Sequence, residues 1–253
     1  MLTSIQIGNN GRLGNQLFQF SALYSAGFTR GYNICIPTNQ ELTETFEMNG
    51  VLVNDHQQQK IERQYREPSN EFHPGIFMLP DNTDINGYFQ SPMYFSHVEE
   101  PLRKILSFKN EILLQASSKM RDYQGQPVCS LHIRRGDYLN LSNFHKNLES
   151  DYYNHAISIV RSNVSNARFI VFSDDPAWCK KNMPSEIQVD DSNQQVSLCM
   201  MSMCPIHIIA NSSFSWWGAW LSGSRAVVAP KQWFAPDGPK TWQTIYMPHW
   251  VVI

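Results

Sequence analysis

The 253-residue chain has no apolar run near the ~20 residues needed to cross a bilayer. It also has no C-x-x-C pair, no internal repeat, no low-complexity tract and no excess of charge of one sign. Each absence removes a class. The 20 Lys and Arg against 22 Asp and Glu leave a net charge of −2, so there is no whole-chain basic footprint for nucleic acid. Two or three well-placed cations could still build a local anion site. The five cysteines (Cys35, Cys129, Cys179, Cys199, Cys204) are scattered and odd in number, which reads as buried free thiols in a reducing compartment. Residues 1–6 carry no basic leader or apolar core, and residues 8–14 are polar, so no signal peptide is expected. The expectation is a cytoplasmic protein with at most peripheral membrane contact. The eight histidines show no ligand spacing, and Asp174-Asp175 is contiguous and not a spaced Asp-x-Asp metal motif, so no metal is expected.

What is present is globular: 42% hydrophobic and 17% charged residues give ample core material for one large domain or two compact ones. Patterning predicts strands at 4–7, 85–89, 128–133, 168–172, 206–210 and 226–230. Helices are predicted from residue 15 onward and at 98–120, 152–162, 176–182, 195–203 and 213–222, the last closed by Gly223. The polar stretch 55–71 reads as a solvated helix or surface excursion. Residues 122–127 mark the expected domain boundary, dividing the chain into 1–124 and 125–253. Strands alternating with helices imply an α/β fold with parallel sheets, in which ligands sit beyond the carboxyl ends of the strands.

Four segments at such positions could carry chemistry. In His132-Ile133-Arg134-Arg135-Gly136-Asp137-Tyr138 the period of two puts His132 and Arg134 on one strand face and Arg135 on the other. Arg134 can then reach a crevice and grip a diphosphate bidentately, while Arg135 braces structure. A salt-bridged cation pair at a strand end describes the same residues equally well. Gly136 permits a sharp turn that brings Asp137 near the same pocket. In Asn211-Ser212-Ser213-Phe214-Ser215-Trp216-Trp217-Gly218-Ala219-Trp220 a strand runs through a serine-rich turn into a helix, whose first amides can bind an anion. Ser212 or Ser213 serves equally as a plain N-cap, and the tryptophans suit core packing or sugar stacking. Asp174 and Asp175 follow a strand and could accept from a purine's ring N–H and amino group, or cap a helix beginning at Pro176. Gly11-Arg12-Leu13-Gly14-Asn15-Gln16 lacks the Walker lysine and the G-x-G-x-x-G spacing. Its glycines allow close backbone approach, and Asn15 and Gln16 offer neutral hydrogen bonds suited to hydroxyls.

With Gly87-Tyr88-Phe89-Gln90-Ser91, Phe172 and Ser173 before the two aspartates, Pro230 and Trp233-Phe234, these segments together resemble the α-1,2-fucosyltransferase family of bacteria and animals, glycosyltransferase family 11. The resemblance spans nearly the whole chain in order. It implies a GT-B-type fold of two Rossmann-like domains facing a cleft, with an acceptor-side domain at 1–124 and a GDP-fucose-binding domain at 125–253. It implies inverting transfer of L-fucose to the 2-hydroxyl of a terminal β-galactoside in surface-glycan or O-antigen synthesis, without a metal or other cofactor. By the same likeness Arg134 would grip the β-phosphate, and His132 with Asp174 or Asp175 would face guanine. Ser212, Ser213 and Phe214 would line the phosphates, and Gly14 and Asn15 would sit near the fucose and acceptor. Asp137 is the candidate base, or it only orients Arg134 or Tyr138. The alternatives are a non-catalytic GDP- or glycan-binding module on the same fold and an ADP- or UDP-sugar transferase. The chain is short for the family, which suggests trimmed acceptor-side loops.

Overall fold

The computed structural model describes residues 1–38, 40–54, 61–185 and 187–253, and the part of the 55–71 reading that covers 55–60 lies outside them. The chain forms two compact units, Met1–Lys109 with Thr241–Met247, and Asn110–Lys240 with Pro248–Ile253. The division falls before the polar stretch at 122–127, not within it. The predicted helix over 98–120 is two helices, α3 (Glu99–Ile105) and α4 (Asn110–Met120). Between them Phe108 packs on Phe46 at 4.8 Å, and Lys109 N–H donates to Thr45 O at 3.0 Å, tying that joint to the first unit. Beyond it, α4 lies on helix α7 (Gln194–Ser202), and Lys119 pairs with Asp191 at 3.2 Å.

The first unit holds β1 (Leu2–Thr3), α1 (Leu13–Arg30), β2 (Ile34–Ile36), α2 (Glu41–Thr45), β3 (Leu52–Val53), β4 (Arg63–Arg66), β5 (Thr83–Asn86) and α3. Its sheet runs β3-β2-β1-β5-β4, all parallel. The first strand lies at Leu2–Thr3 and not at 4–7, because the buried Asp84 carboxylate accepts from Thr3 Oγ1 and Ile5 N–H, both at 3.0 Å. That pulls the chain into a turn closed by Ile7 N–H on Ser4 O. Helix α1 buries Leu13, Leu17, Phe20 and Leu23 and stops at Gly31, whose φ of 67° is left-handed. Arg63–Arg66 is an edge strand, which corrects the helical reading of that stretch.

The second unit holds α4, β6 (Val128–Ile133), α5 (Ser150–Asn163), β7 (Arg168–Ser173), α6 (Pro176–Asn182), β8 (Gln188–Val189), α7, β9 (Ile206–Ile208), α8 (Ser213–Ser222), β10 (Ala226–Ala229) and β11 (Val251–Val252). Its sheet runs β11-β10-β9-β6-β7-β8, all parallel. All six residues of β6 are buried, because helices cover both faces of a central parallel strand. Counted from β6, the order is the doubly wound 3-2-1-4-5-6, with the direction of winding reversing between β6 and β9. Trp216, Trp217 and Trp220 are all buried in the core, which overturns sugar stacking as their role. Gly218 serves close packing: a Cβ there would sit 2.9 Å from the Cβ of Met201 on α7. Among the described residues no helix is long and apolar enough to cross a membrane.

Candidate active site

The crevice at a topological switch point is where an open α/β sheet receives its ligand. In the second unit the two strands flanking that point, β6 and β9, end in the two segments singled out from sequence. Leaving β6, Arg134 turns its guanidinium between two carboxylates: Nη2 donates to Asp137 Oδ1 at 2.6 Å, and Nη1 lies 3.0 Å from Asp174 Oδ2. Its carbon stands 5.2 Å from the centre of the Tyr138 ring. Tyr138 is held in turn, its hydroxyl donating to Asn211 O at 3.1 Å and its ring stacked on His145 at 4.0 Å and 5°. Asn211 is fixed by Nδ2 donating to Lys146 O and Trp233 O. Arg134 Nε is buried without a hydrogen-bond partner.

Arg135 points elsewhere. Its guanidinium lies 3.9 Å over the Trp178 ring, with Nε 3.5 Å from Asp175 Oδ2. Asp175 also caps α6, accepting from Trp178 N–H at 3.0 Å, and Asp174 accepts from Arg135 N–H at 2.9 Å. Both carboxylates offered for guanine therefore have intramolecular partners, and Asp174 buttresses Arg134. Gly136 makes that buttress possible, since a Cβ there would fall 2.4 Å from Asp174 Oδ2.

On the β9 side, Ser212 occupies the N-cap position of α8 in extended conformation, but its side chain makes no capping bond. The first-turn amides of Ser213 and Phe214 therefore keep the positive end of the helix dipole uncapped by side chain. Ser215 Oγ joins the two flanks, bonding His132 Nδ1 at 2.9 Å, with the Phe214 ring 5.7 Å from the imidazole. Burial, reinforced by Arg134, pushes the His132 pKa down to about 3, so the imidazole is neutral at ordinary pH.

The first unit has its own switch point, between β1 and β5. The loop after β1 carries Gly11 at φ 100°, and a Cβ there would lie 2.2 Å from Asn15 Nδ2. Gly14 is buried in the first turn of α1. The loop after β5 delivers Gln90, whose Nε2 donates to Asn15 Oδ1 at 2.9 Å. Asn10 Nδ2 meets Asn86 Oδ1 at 3.0 Å beside them. The structure thus gathers His132, Arg134, Asp137, Asp174 and Ser212–Phe214 in one unit, and Gly14 and Asn15 in the other. Sequence reasoning missed Gln90 as the partner of Asn15, Ser215 as the partner of His132, and the His145–Tyr138 stack. Only Tyr138, Ser215 and Gln90 lay within motifs that could have pointed to them.

The model of glycosyl transferase family 11 matches residues 2–253. Among curated relatives, an Escherichia coli alpha-1,2-colitosyltransferase is 36% identical over 168 residues, covering 62% of this chain and 58% of that protein. The E. coli O-antigen biosynthesis glycosyltransferase WbnK is 40% identical over 143 residues, half of this chain and 47% of its own length. The matches thus span about half the length of these two relatives. The Bos taurus galactoside 2-alpha-L-fucosyltransferase SEC1 is 24% identical over 280 residues, covering 98% of this chain and 73% of the relative. Among solved structures, POFUT1 in complex with GDP superposes with a TM-score of 0.59 at 12% identity, covering 90% of this chain and 97% of that one. The fucosyltransferase NodZ from Bradyrhizobium does so with a TM-score of 0.55 at 13% identity, over 86% of this chain and 91% of NodZ. That likeness shows the GT-B-type fold of two Rossmann-like α/β units. The chain belongs to glycosyltransferase family 11.

Proposed function

We propose that the protein transfers L-fucose from GDP-fucose to the 2-hydroxyl of a terminal β-galactoside, with inversion at the anomeric carbon. The observation that carries this reading is Arg134 at the β6/β9 switch point, braced by two carboxylates and an aromatic face beside the uncapped start of α8. Arginine has five N–H donors. Two are engaged by Asp137 and Asp174, and Nε is buried, which leaves one proton on each Nη for a diphosphate. Transfer builds positive charge on the sugar and negative charge on departing GDP. A fixed guanidinium and a helix N-terminus stabilise that leaving group without a metal ion, so turnover should survive EDTA.

In this reading Asp137 and Asp174 orient Arg134, His132 offers a neutral imidazole to the guanine edge, and Ser212, Ser213 and Phe214 line the phosphates. Asn15 and Gly14 face the fucose and acceptor. The O-antigen and galactoside relatives support a galactose-terminated acceptor in surface-glycan assembly. One relative, the E. coli alpha-1,2-colitosyltransferase, favours a second sugar, colitose, carried in this reading on the same GDP.

The test is incubation with each donor and a panel of β-galactosides, with GDP release and linkage analysis as readouts. An α-1,2 product is expected. No turnover with any acceptor, together with no thermal protection by GDP, sinks the reading. Arg134→Ala separates an enzyme from a binding module. An enzyme loses transfer by about two to three orders of magnitude while staying folded, whereas a module merely binds GDP less tightly.

A further inference from the structure

The loop after β5 is held in a conformation that its residues would not choose. Phe89 sits at φ 51°, a left-handed angle that a bulky L-residue adopts only under constraint. Glu67, just past the end of edge strand β4, supplies that constraint. Its Oε2 accepts from Tyr88 N–H at 2.8 Å and Phe89 N–H at 2.9 Å, and its Oε1 accepts from the Tyr94 hydroxyl at 3.3 Å. The Phe89 ring is fully buried, edge-on to Tyr94 at 5.3 Å. Gly87 lets the carboxylate come close, because a Cβ there would lie 2.4 Å from Glu67 Cβ. On the far side of the loop, Ser91 Oγ donates to Thr244 O at 2.9 Å. Between these two anchors lies Gln90, whose Nε2 reaches Asn15 Oδ1.

An asparagine amide is nearly symmetric in shape and opposite in hydrogen-bond sense at its two ends, so its orientation is set by its partners. With Gln90 Nε2 as the donor, Oδ1 is the engaged end and Nδ2 is left as the donor for a ligand oxygen. We infer that Glu67 and Gln90 are positioning residues that set the polarity of the Asn15 amide, Glu67 by shaping the 87–90 loop and Gln90 by holding Oδ1. The inference rests on the reading of Asn15 as facing the sugar and acceptor. Burial also raises the Glu67 pKa to about 6, against the opposing pull of the two amide bonds. Protonation below that value weakens its hold on the loop.

The experiment compares Gln90→Ala, Gln90→Glu, Glu67→Ala and Glu67→Gln with wild type, measuring kcat, acceptor KM, GDP affinity and the NMR signal of the Asn15 side-chain amide, assigned with Asn15→Ser. Gln90→Ala and Glu67→Ala should lower kcat at least tenfold with GDP affinity within twofold, and should shift the Asn15 amide signal. Gln90→Glu should be at least as damaging as Gln90→Ala, because a carboxylate accepts from Nδ2 and reverses the amide. Glu67→Gln should recover most activity, since its amide oxygen can accept both backbone N–H bonds, and it should lose the acid limb near pH 6. Unchanged kcat with an unchanged Asn15 signal in Gln90→Ala overturns the inference. If wild type shows no turnover while Gln90→Ala and Glu67→Ala still shift the signal, the transfer reading fails and the positioning stands.

Discussion

Gly136→Ala tests the arginine brace through a single methyl group. The added Cβ would fall 2.4 Å from Asp174 Oδ2 and 3.1 Å from its Cγ, well inside contact distance. Oδ2 is the atom that meets Arg134 Nη1 at 3.0 Å, and Oδ1 is pinned by Arg135 N–H at 2.9 Å. The carboxylate therefore cannot swing aside without giving up one bond or both. A hydrogen bond to a charged group is worth about 1.5–3 kcal/mol. The Arg134 and Asp174 side chains are 14% and 20% exposed, so screening is slight and about 1.5–2 kcal/mol is the reasonable share for the lost arginine contact. If Arg134 must be held for transfer, kcat/KM falls on the order of tenfold to thirtyfold, at 1.36 kcal/mol per factor of ten. The assay is steady-state GDP release, run beside thermal melts to confirm folding. Asp174→Ala supplies the control, because it removes the atom that the new methyl strikes. In that background Gly136→Ala should cost little more, a large non-additive coupling. Wild-type kcat/KM in the single variant, or strict additivity in the pair, would refute the brace.

Arg134→Lys should be nearly as inactive as Arg134→Ala, because an ammonium cannot span two carboxylates and a diphosphate at once; comparable turnover by Lys would argue against bidentate recognition. Ser215→Ala strips His132 Nδ1 of its buried partner and should cost about 1–3 kcal/mol of stability, read as a lower midpoint in urea with unchanged slope. Gly218→Ala pushes a methyl against Met201 and should destabilise by about 1–3 kcal/mol while leaving GDP affinity within twofold; weakened GDP binding instead would mean that α8 moves with its packing. Stability should also fall in acid. His132 and His207 are buried with pKa values pushed down to about 3, so the unfolded chain takes up two protons there below about 6.5 that the folded chain refuses. Glu67 works the other way, its raised pKa making the folded state the better proton binder between about 4.5 and 6. These three groups leave a net uptake of roughly one proton on unfolding near pH 5, or ~1.4 kcal/mol lost per pH unit of acidification. A flat stability profile from pH 6.5 to 5 would show that the two histidines are not held neutral.

Much of the second unit was legible because its strands are buried on both faces and its helices carry clear stops. Residues 128–133, 176–182 and 213–222 fall where patterning puts them, and Gly223 closes α8 with a φ of 69°. The first unit was less so. Its strands are two to four residues long, too short for periodicity to register, and β1 ends early because a carboxylate distant in sequence, Asp84, takes the next amide. The break between α3 and α4 was hidden for the same reason: Phe108 leaves the helix to meet Phe46, a contact that no local signal announces. At the site, strand parity separates Arg134 from Arg135, as the structure does. It could not show that Asp174 would be spent on Arg134, since that bond joins the ends of two different strands.

The two sheets repeat one solution with different chemistry. Each is wholly parallel, and each reverses its winding beside its first strand, so the loops leaving β1 and β5 meet in one unit and those leaving β6 and β9 meet in the other. In the first unit the meeting loops present neutral amides, Asn15 held by Gln90 and Asn10 by Asn86. In the second they present a guanidinium and a helix start. Neutral amides suit hydroxyls, which must be bound without stabilising charge in the ground state. A fixed cation suits a leaving diphosphate, whose charge grows as the bond breaks. On the proposed function, the division of labour follows from the side chains each switch point holds, so exchanging chemistry between them should fail even with both folds intact. Asn15→Arg should bring a cation to the proposed hydroxyl side and abolish transfer, while leaving GDP affinity, which the proposal assigns to the other unit, within about twofold. Loss of GDP binding in that variant would show that the two switch points do not work independently.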